Sequence, residues 1–264
     1  MYIFHRLYHV IKHQKTIDCF QDFIELLNLF NNSNNNSHEG VELIVARTHS
    51  ISCSTIGKAV ISNTILLQQT PGVFMLINTN KKSALMLVEK ALNLDREVAL
   101  SIPFLSFHLW NENILILHAG SIRCLKDNSA ALFLGNSGAG KTTICNQAYD
   151  SGYSVLSDEL VYVTCKNNSV FAQSAQIYSD GHTFMPYLLP EKVNGIFLLI
   201  KSTKTAVSSL SFYEKLNTVS SSMIRVFSTG TESKQVLMLL ELLSIKQLEF
   251  PKDNIEWEML FHEF

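Results

Sequence analysis

The stretch at residues 135–142 reads Gly135-Asn136-Ser137-Gly138-Ala139-Gly140-Lys141-Thr142. It is a complete G-x-x-x-x-G-K-S/T phosphate-binding loop, whose backbone amides point at the phosphates of a nucleotide. The pattern predicts that Lys141 reaches the β- and γ-phosphates of ATP and that the Thr142 hydroxyl binds Mg²⁺. We include the next residue, Thr143, in the predicted nucleotide-binding set.

The residues on either side supply the context that this loop requires. Ala130–Leu134 is a short apolar run that predicts a buried strand, and Thr143–Tyr149 predicts the first turns of a helix. Gly152 stands where the end of a helix favours a left-handed residue. Strand, glycine loop and helix therefore follow one another, which predicts an α/β core that binds a nucleotide.

A pair of carboxylates, Asp158 and Glu159, ends the next predicted strand. A helix of about ten residues rises roughly 15 Å, and a strand of about five residues returns roughly 16 Å, so the pair arrives near the level of Lys141. In a hydrolase such residues hold magnesium and orient water, whereas in a kinase one of them takes a proton from an acceptor hydroxyl. The short spacing of about 17 residues between Lys141 and Asp158 favours the kinase.

Three elements, in this order, resemble the HPr serine kinase/phosphorylase superfamily, which is distantly related to the phosphoenolpyruvate carboxykinase type of P-loop fold. They are His118-Ala119-Gly120, the loop at 135–142, and Leu156-Ser157-Asp158-Glu159. The resemblance covers roughly residues 114–163 and extends weakly to about residue 200. It implies an α/β P-loop kinase core of HPr kinase type, with a mixed, partly antiparallel sheet.

The resemblance also implies roles for individual residues. Asp158 matches the general base toward an acceptor serine, Lys141 the phosphate-binding lysine, and His118 a histidine near the phosphates. Thr142, Glu159 and Asp158 form the implied magnesium site. Glu159 stands where the family usually has a second aspartate, and no segment matches the one used for dephosphorylation.

The function that follows is an ATP-dependent serine kinase with Mg²⁺, acting on a protein or peptide. Smaller HPr-kinase-like proteins occur in gene clusters for ribosomally made peptides, lasso peptides included, so the resemblance extends to a precursor-peptide kinase. Two alternatives remain open from the sequence. One is a nucleotide-dependent binding module without transfer, and the other is a kinase acting on a small molecule.

Composition narrows the class of protein further. The chain has 264 residues, is 47% hydrophobic and carries a net charge of −2, so nothing favours nucleic acid as a partner. Its five cysteines are widely spaced without a C-x-x-C pair, which predicts buried free thiols. We expect a cytoplasmic protein without a signal-type or membrane-spanning segment. The sequence leaves open whether the chain forms a homo-oligomer.

The rest of the chain predicts two parts: an N-terminal α+β accessory region over 1–111 and the catalytic core over 112–264. In the first part we expect helices over 20–30 and 83–94, and strands over 41–46 and 73–78. In the second we expect strands over 114–117 and 120–125, a hairpin over 160–173, a strand over 195–200 and a closing helix over 233–243. Arg225 is a further candidate for contact with the γ-phosphate, although a surface arginine is the plainer interpretation.

Overall fold

In a computed structural model, the chain divides into two compact units, Met1–Glu112 and Asn113–Phe264. The structure describes residues 15–17, 42–48, 58–61, 63–70, 72–110, 113–124, 129–175, 190–224, 232–252, 255–257 and 260. Across these residues, no helix has both the length and the apolar character that crossing a bilayer requires. The predicted roles of the two parts, accessory region and catalytic core, stay predictions.

The first unit contains a six-stranded mixed sheet and one described helix. Strand order across the sheet is β1-β2-β6-β5-β4-β3, with the first two pairings parallel and the other three antiparallel. The elements are β1 (Lys15–Ile17), β2 (Glu42–Thr48), β3 (Lys58–Ile61), β4 (Thr64–Thr70), β5 (Val73–Asn78), β6 (Ser83–Glu89) and α1 (Leu94–Trp110).

Two predictions for this unit meet different outcomes. The strands expected over 41–46 and 73–78 are confirmed as β2 and β5. The helix expected over 83–94 is wrong, because Ser83–Val88 is buried on both faces between β2 and β5. A helix begins only at Leu94, where the side-chain oxygen of Asn93 accepts a hydrogen bond from the backbone amide of Arg96. The helix expected over 20–30 lies outside the described residues.

The second unit contains a nine-stranded mixed sheet with helices on both faces. Its strands are β7 (Leu115–His118), β8 (Gly120–Arg123), β9 (Ser129–Leu134), β10 (Ser154–Ser157), β11 (Leu160–Lys166), β12 (Ser169–Ser174), β13 (Glu191–Lys201), β14 (Ala206–Ser209) and β15 (Ser244–Phe250). Its helices are α2 (Lys141–Asp150), α3 (Phe212–Ser222) and α4 (Glu232–Leu242).

Strand β9 lies inside this sheet and is parallel to β13 and antiparallel to β8. Strand β13 in turn pairs in parallel with β15, and β12 pairs with its first residues. Strands β12, β11 and β7 continue the sheet in antiparallel order. The predicted fold class, α/β with a mixed, partly antiparallel sheet preceded by an α+β region, is confirmed.

Alternating side chains of β9 enter two separate cores. Leu132 and Leu134 pack on the face covered by α3 and α4, whereas Phe133 packs on the face covered by α2. Because all six residues of β9 are buried, the strand reads as a continuous apolar run rather than as an alternating one. The helix expected over 233–243 is confirmed as α4, but β15 follows it, so that helix does not close the fold.

Candidate functional site

The glycine loop joins the end of β9, at Leu134, to the start of α2, at Lys141. Gly138 and Gly140 both have positive φ, of 79° and 106°, which non-glycine residues rarely adopt. No side chain caps the start of α2. The first backbone amides of a helix point beyond its start, here toward the loop, and together with the helix dipole they favour an anion there.

Gly140 is required for a second reason, which gives a testable stability difference. A Cβ atom at this position would lie 2.6 Å from Cζ of Phe250, whereas a Cβ at Gly138 would meet nothing within 4 Å. We expect Gly138→Ala to lower the free energy of unfolding by only the backbone strain, roughly 1–2 kcal/mol. Gly140→Ala should add an overpacking cost of roughly 1–3 kcal/mol. Urea unfolding measures both, and equal losses would contradict the Phe250 contact.

Lys141 is nearly buried, with 6% of its surface exposed. Its Nζ donates hydrogen bonds to the carbonyl oxygens of Gly135 at 2.8 Å and Asn136 at 3.3 Å, so the side chain folds back over the first half of the loop. Burial lowers the pKa of this ammonium, and the nearby Glu159 carboxylate opposes that shift. The lysine is thus held where a phosphate bound by the loop would contact it.

Asp158 and Glu159 form the corner between β10 and β11. Ser157 shapes this corner: its hydroxyl donates to the carbonyl of Leu160 at 2.9 Å and accepts from the amides of Glu159 and Leu160 at 3.3 and 3.2 Å. Asp158 is 2% exposed. No role for Ser157 was predicted from the sequence, although a serine before a turn is a recognised way to stabilise it.

His118 ends β7 directly beside this corner. It pairs in register with Leu160, and its Nε2 lies 3.7 Å from a carboxylate oxygen of Glu159. The amide of Ala119 donates to the Glu159 carbonyl at 3.1 Å. The break between β7 and β8 and the corner after β10 therefore lie side by side, which places His118 next to Glu159.

Gly120, the first residue of β8, lies close to α2. A Cβ atom here would lie 2.8 Å from Sγ of Cys145, one helical turn into α2. The close approach brings α2 against β8. The Cys145 thiol is fully buried, and burial raises its pKa well above the ordinary range, so it stays protonated and has no nucleophilic role.

The other cysteines follow the same pattern where the structure describes them. Cys124 is buried, and burial raises the pKa of Cys165 to about 11. The prediction of buried free thiols is confirmed for Cys124 and Cys145, whereas Cys165 is half-buried. Cys19 and Cys53 lie outside the described residues.

A cavity of about 490 Å³ unites most of the predicted site. Its lining includes the three predicted catalytic side chains His118, Lys141 and Asp158, together with Glu159. The loop and helix contribute Ser137, Gly138, Gly140, Thr142 and Thr143. The lining also contains Lys201, at the end of β13, which was not among the site residues predicted from the sequence.

The remaining predicted loop residues, Gly135, Asn136 and Ala139, line a second cavity of about 810 Å³, which adjoins the first. The end of β13 and the polar face of α3 complete it, with Leu198, Leu199, Ile200, Lys201, Asn217, Thr218 and Ser220–Ser222. Ser137, Gly138 and Lys201 line both cavities. The candidate Arg225 lies outside the described residues.

The residues that line the smaller cavity are suited to bind a nucleotide together with Mg²⁺. Thr142 offers a hydroxyl, and Asp158 and Glu159 offer carboxylates, in one cavity with the loop. Among the described side chains, no group of three or more His, Cys, Asp or Glu is placed to hold a metal by itself. Mg²⁺ usually takes one or two carboxylates plus substrate phosphates and water rather than a protein cage.

Several solved structures are similar to this chain, and one of them is a kinase/phosphatase. The HPr(Ser) kinase/phosphatase from Coxiella burnetii is similar over 56% of this chain and 91% of that chain, with 15% sequence identity and a TM-score of 0.31. No protein-family model matches the chain. No curated protein matches it either.

The direction of β13 explains why its last residues lie beside the glycine loop. Since β13 runs parallel to β9 and aligns Leu198 with Leu134, its last three residues extend past the end of β9 beside the loop. Carboxyl ends of parallel strands are where open α/β sheets bind ligands. A signal for Lys201 was present in the sequence, as a cation ending an apolar run, but its use requires knowing that β13 is the parallel neighbour of β9.

Proposed function

We propose that this chain is an ATP-dependent kinase that transfers the γ-phosphate of ATP to a serine hydroxyl of a protein or peptide. One observation carries the proposal: the buried carboxylate of Asp158 and the phosphate-loop lysine, Lys141, line the same cavity. A base beside the phosphate loop is what transfer to a hydroxyl requires, because the acceptor proton must leave as the new bond forms.

Each group has a role in the proposed reaction. The amides at the start of α2 and the ammonium of Lys141 bind the β- and γ-phosphates, while Thr142 and Glu159 would hold Mg²⁺. The magnesium ion supplies positive charge that neutralises the phosphate oxygens. His118, beside Glu159 at 3.7 Å, orients that carboxylate.

Asp158 accepts the proton of the serine hydroxyl. The bond from serine Oγ to the γ-phosphorus forms as the bond from that phosphorus to the bridging oxygen of ADP breaks, and ADP leaves. The fixed corner at Ser157 supports this role, since a base must be held within hydrogen-bond reach of the proton it takes. A precursor peptide as the acceptor stays a prediction.

Two other functions use the same cavity differently. A nucleotide-dependent binding module would bind ATP without transferring phosphate, and a small-molecule kinase would use a metabolite as acceptor. Neither has an observation of its own in its favour. The position of Asp158 supports transfer over simple binding, because binding alone needs no buried carboxylate facing the phosphates.

Label transfer separates these functions directly. The purified full chain would be incubated with Mg²⁺ and γ-labelled ATP, together with serine-containing peptides and, separately, a cell extract divided into protein and small-molecule fractions. Label on serine of a peptide or protein is the expected result. Label confined to small molecules would replace the proposal with a metabolite kinase. Measurable ATP binding without any label would overturn phosphoryl transfer.

A further inference from the structure

We infer that Lys201 is a second phosphate-binding cation, which contacts the terminal phosphate of the bound nucleoside triphosphate where the two cavities meet. This inference rests on the ATP binding of the proposed function, but not on the transfer step. Lys201 lies outside the glycine loop and ends β13. Together with Ser137 and Gly138 it lines both cavities, so a ligand that crosses from one cavity to the other passes it.

The charges of the two linings call for an additional cation at this point. Apart from Lys201, the described lining of the smaller cavity offers one lysine, Lys141, against the two carboxylates of Asp158 and Glu159, and a nucleoside triphosphate adds further negative charge. In the larger cavity, Lys201 is the only charged side chain among the described lining residues. An anion at the junction is therefore attracted by the ammonium of Lys201. The described lining of the larger cavity contains no carboxylate that would repel it.

The position of Lys141 indicates which phosphate lies there. A phosphate-loop lysine reaches the β- and γ-phosphates, and here its Nζ lies at the carbonyls of Gly135 and Asn136. Those two residues line the larger cavity, together with Lys201. Lys141 itself lines the smaller cavity, so its ammonium marks the junction between the two linings. The terminal phosphate that Lys141 contacts would therefore lie in the smaller cavity at the junction that Lys201 borders, within reach of both lysines.

Rigid elements hold the backbone of Lys201 in place. Lys201 pairs in register with Phe250 of β15, and the amide of Ser202 donates to the Phe250 carbonyl at 2.9 Å. The ring of Phe250 packs against Gly140 in the loop, where an added Cβ would lie 2.6 Å away. Phe250 therefore contacts both the end of β13, where Lys201 lies, and the phosphate loop. The Lys201 side chain itself is exposed and available to a ligand.

Binding of ATP and ADP to charge variants tests the assignment. Lys201→Met should weaken Mg-ATP binding by roughly 10- to 100-fold, the range for losing a hydrogen bond to a charged group, and leave Mg-ADP binding nearly unchanged. Lys201→Arg should restore most of the preference for ATP. The matched control is Lys204→Met, which removes an exposed lysine three residues along that lines neither cavity.

Isothermal titration with the full chain gives the affinities, and thermal unfolding verifies that each variant folds. A fall in the ATP-to-ADP affinity ratio with Lys201→Met alone supports the inference. The assignment is overturned if Lys201→Met behaves like Lys204→Met, or if ATP and ADP binding weaken equally. In both of those cases the proposed kinase stands. Failure of the wild-type chain to bind ATP would instead overturn the proposed function and this inference together.

Discussion

Asp158→Asn is expected to lower phosphoryl transfer by roughly 100- to 10,000-fold, the contribution typical of a positioned general base. Asparagine has the same shape as aspartate but does not accept the serine proton. Because Asp158 is 2% exposed and fixed by the turn at Ser157, a base from the solvent does not readily replace it. ATP affinity should change much less than turnover, since Lys141 and the loop amides supply most of the phosphate contact.

Initial rates of label transfer and equilibrium ATP binding, measured on the same preparations, test this expectation. Asp150→Asn is a suitable control, because it makes the same chemical change at an exposed position at the end of α2, outside both cavities. The control should transfer phosphate at the wild-type rate. A wild-type rate in Asp158→Asn would show that this residue is not the base.

Lys141→Ala should weaken ATP binding and lower turnover together. The side chain is the cation held over the loop, and a charge-assisted contact to phosphate is worth roughly 1.5–3 kcal/mol, which corresponds to roughly 10- to 100-fold in affinity. Burial lowers the pKa of this lysine, so removing it also removes a charge that folding had to bury. We therefore expect the variant to remain folded.

Titration with Mg-ATP and thermal unfolding measure these two effects separately. Lys166→Ala removes an exposed lysine at the end of β11 that lines neither cavity, and it should bind ATP normally. Unchanged ATP affinity in Lys141→Ala would mean that the loop is not the nucleotide site. A loss of binding accompanied by unfolding would be repeated with Lys141→Met, which keeps most of the length of the side chain.

The part of the site that the sequence predicted is the part that is continuous in the chain. Strand β9, the loop, α2 and the return to Asp158 follow from local pattern and from the rise of a helix and a strand. The resemblance added His118, which the structure places beside Glu159. These residues needed no knowledge of strand order, because each follows the previous one by a short connection.

Residues that depend on strand order were missed or misplaced. Lys201 borders the loop only because β13 is the parallel neighbour of β9, and α3 reaches the larger cavity from the opposite face of the sheet. Ser83–Leu94 was misread for a related reason. A continuous apolar run fits a buried strand and a buried helix equally well, and only pairing with β2 and β5 decides between them.

A crystal structure of the full chain with Mg²⁺ and a non-hydrolysable ATP analogue tests the central claim most directly. That claim is that the loop presents the terminal phosphate of ATP to Asp158. The account predicts the phosphates on the amides at the start of α2, with the terminal phosphate in the cavity that Lys141, Asp158 and Glu159 line. A nucleotide bound elsewhere, or bound on the loop with its terminal phosphate directed away from Asp158, would contradict it.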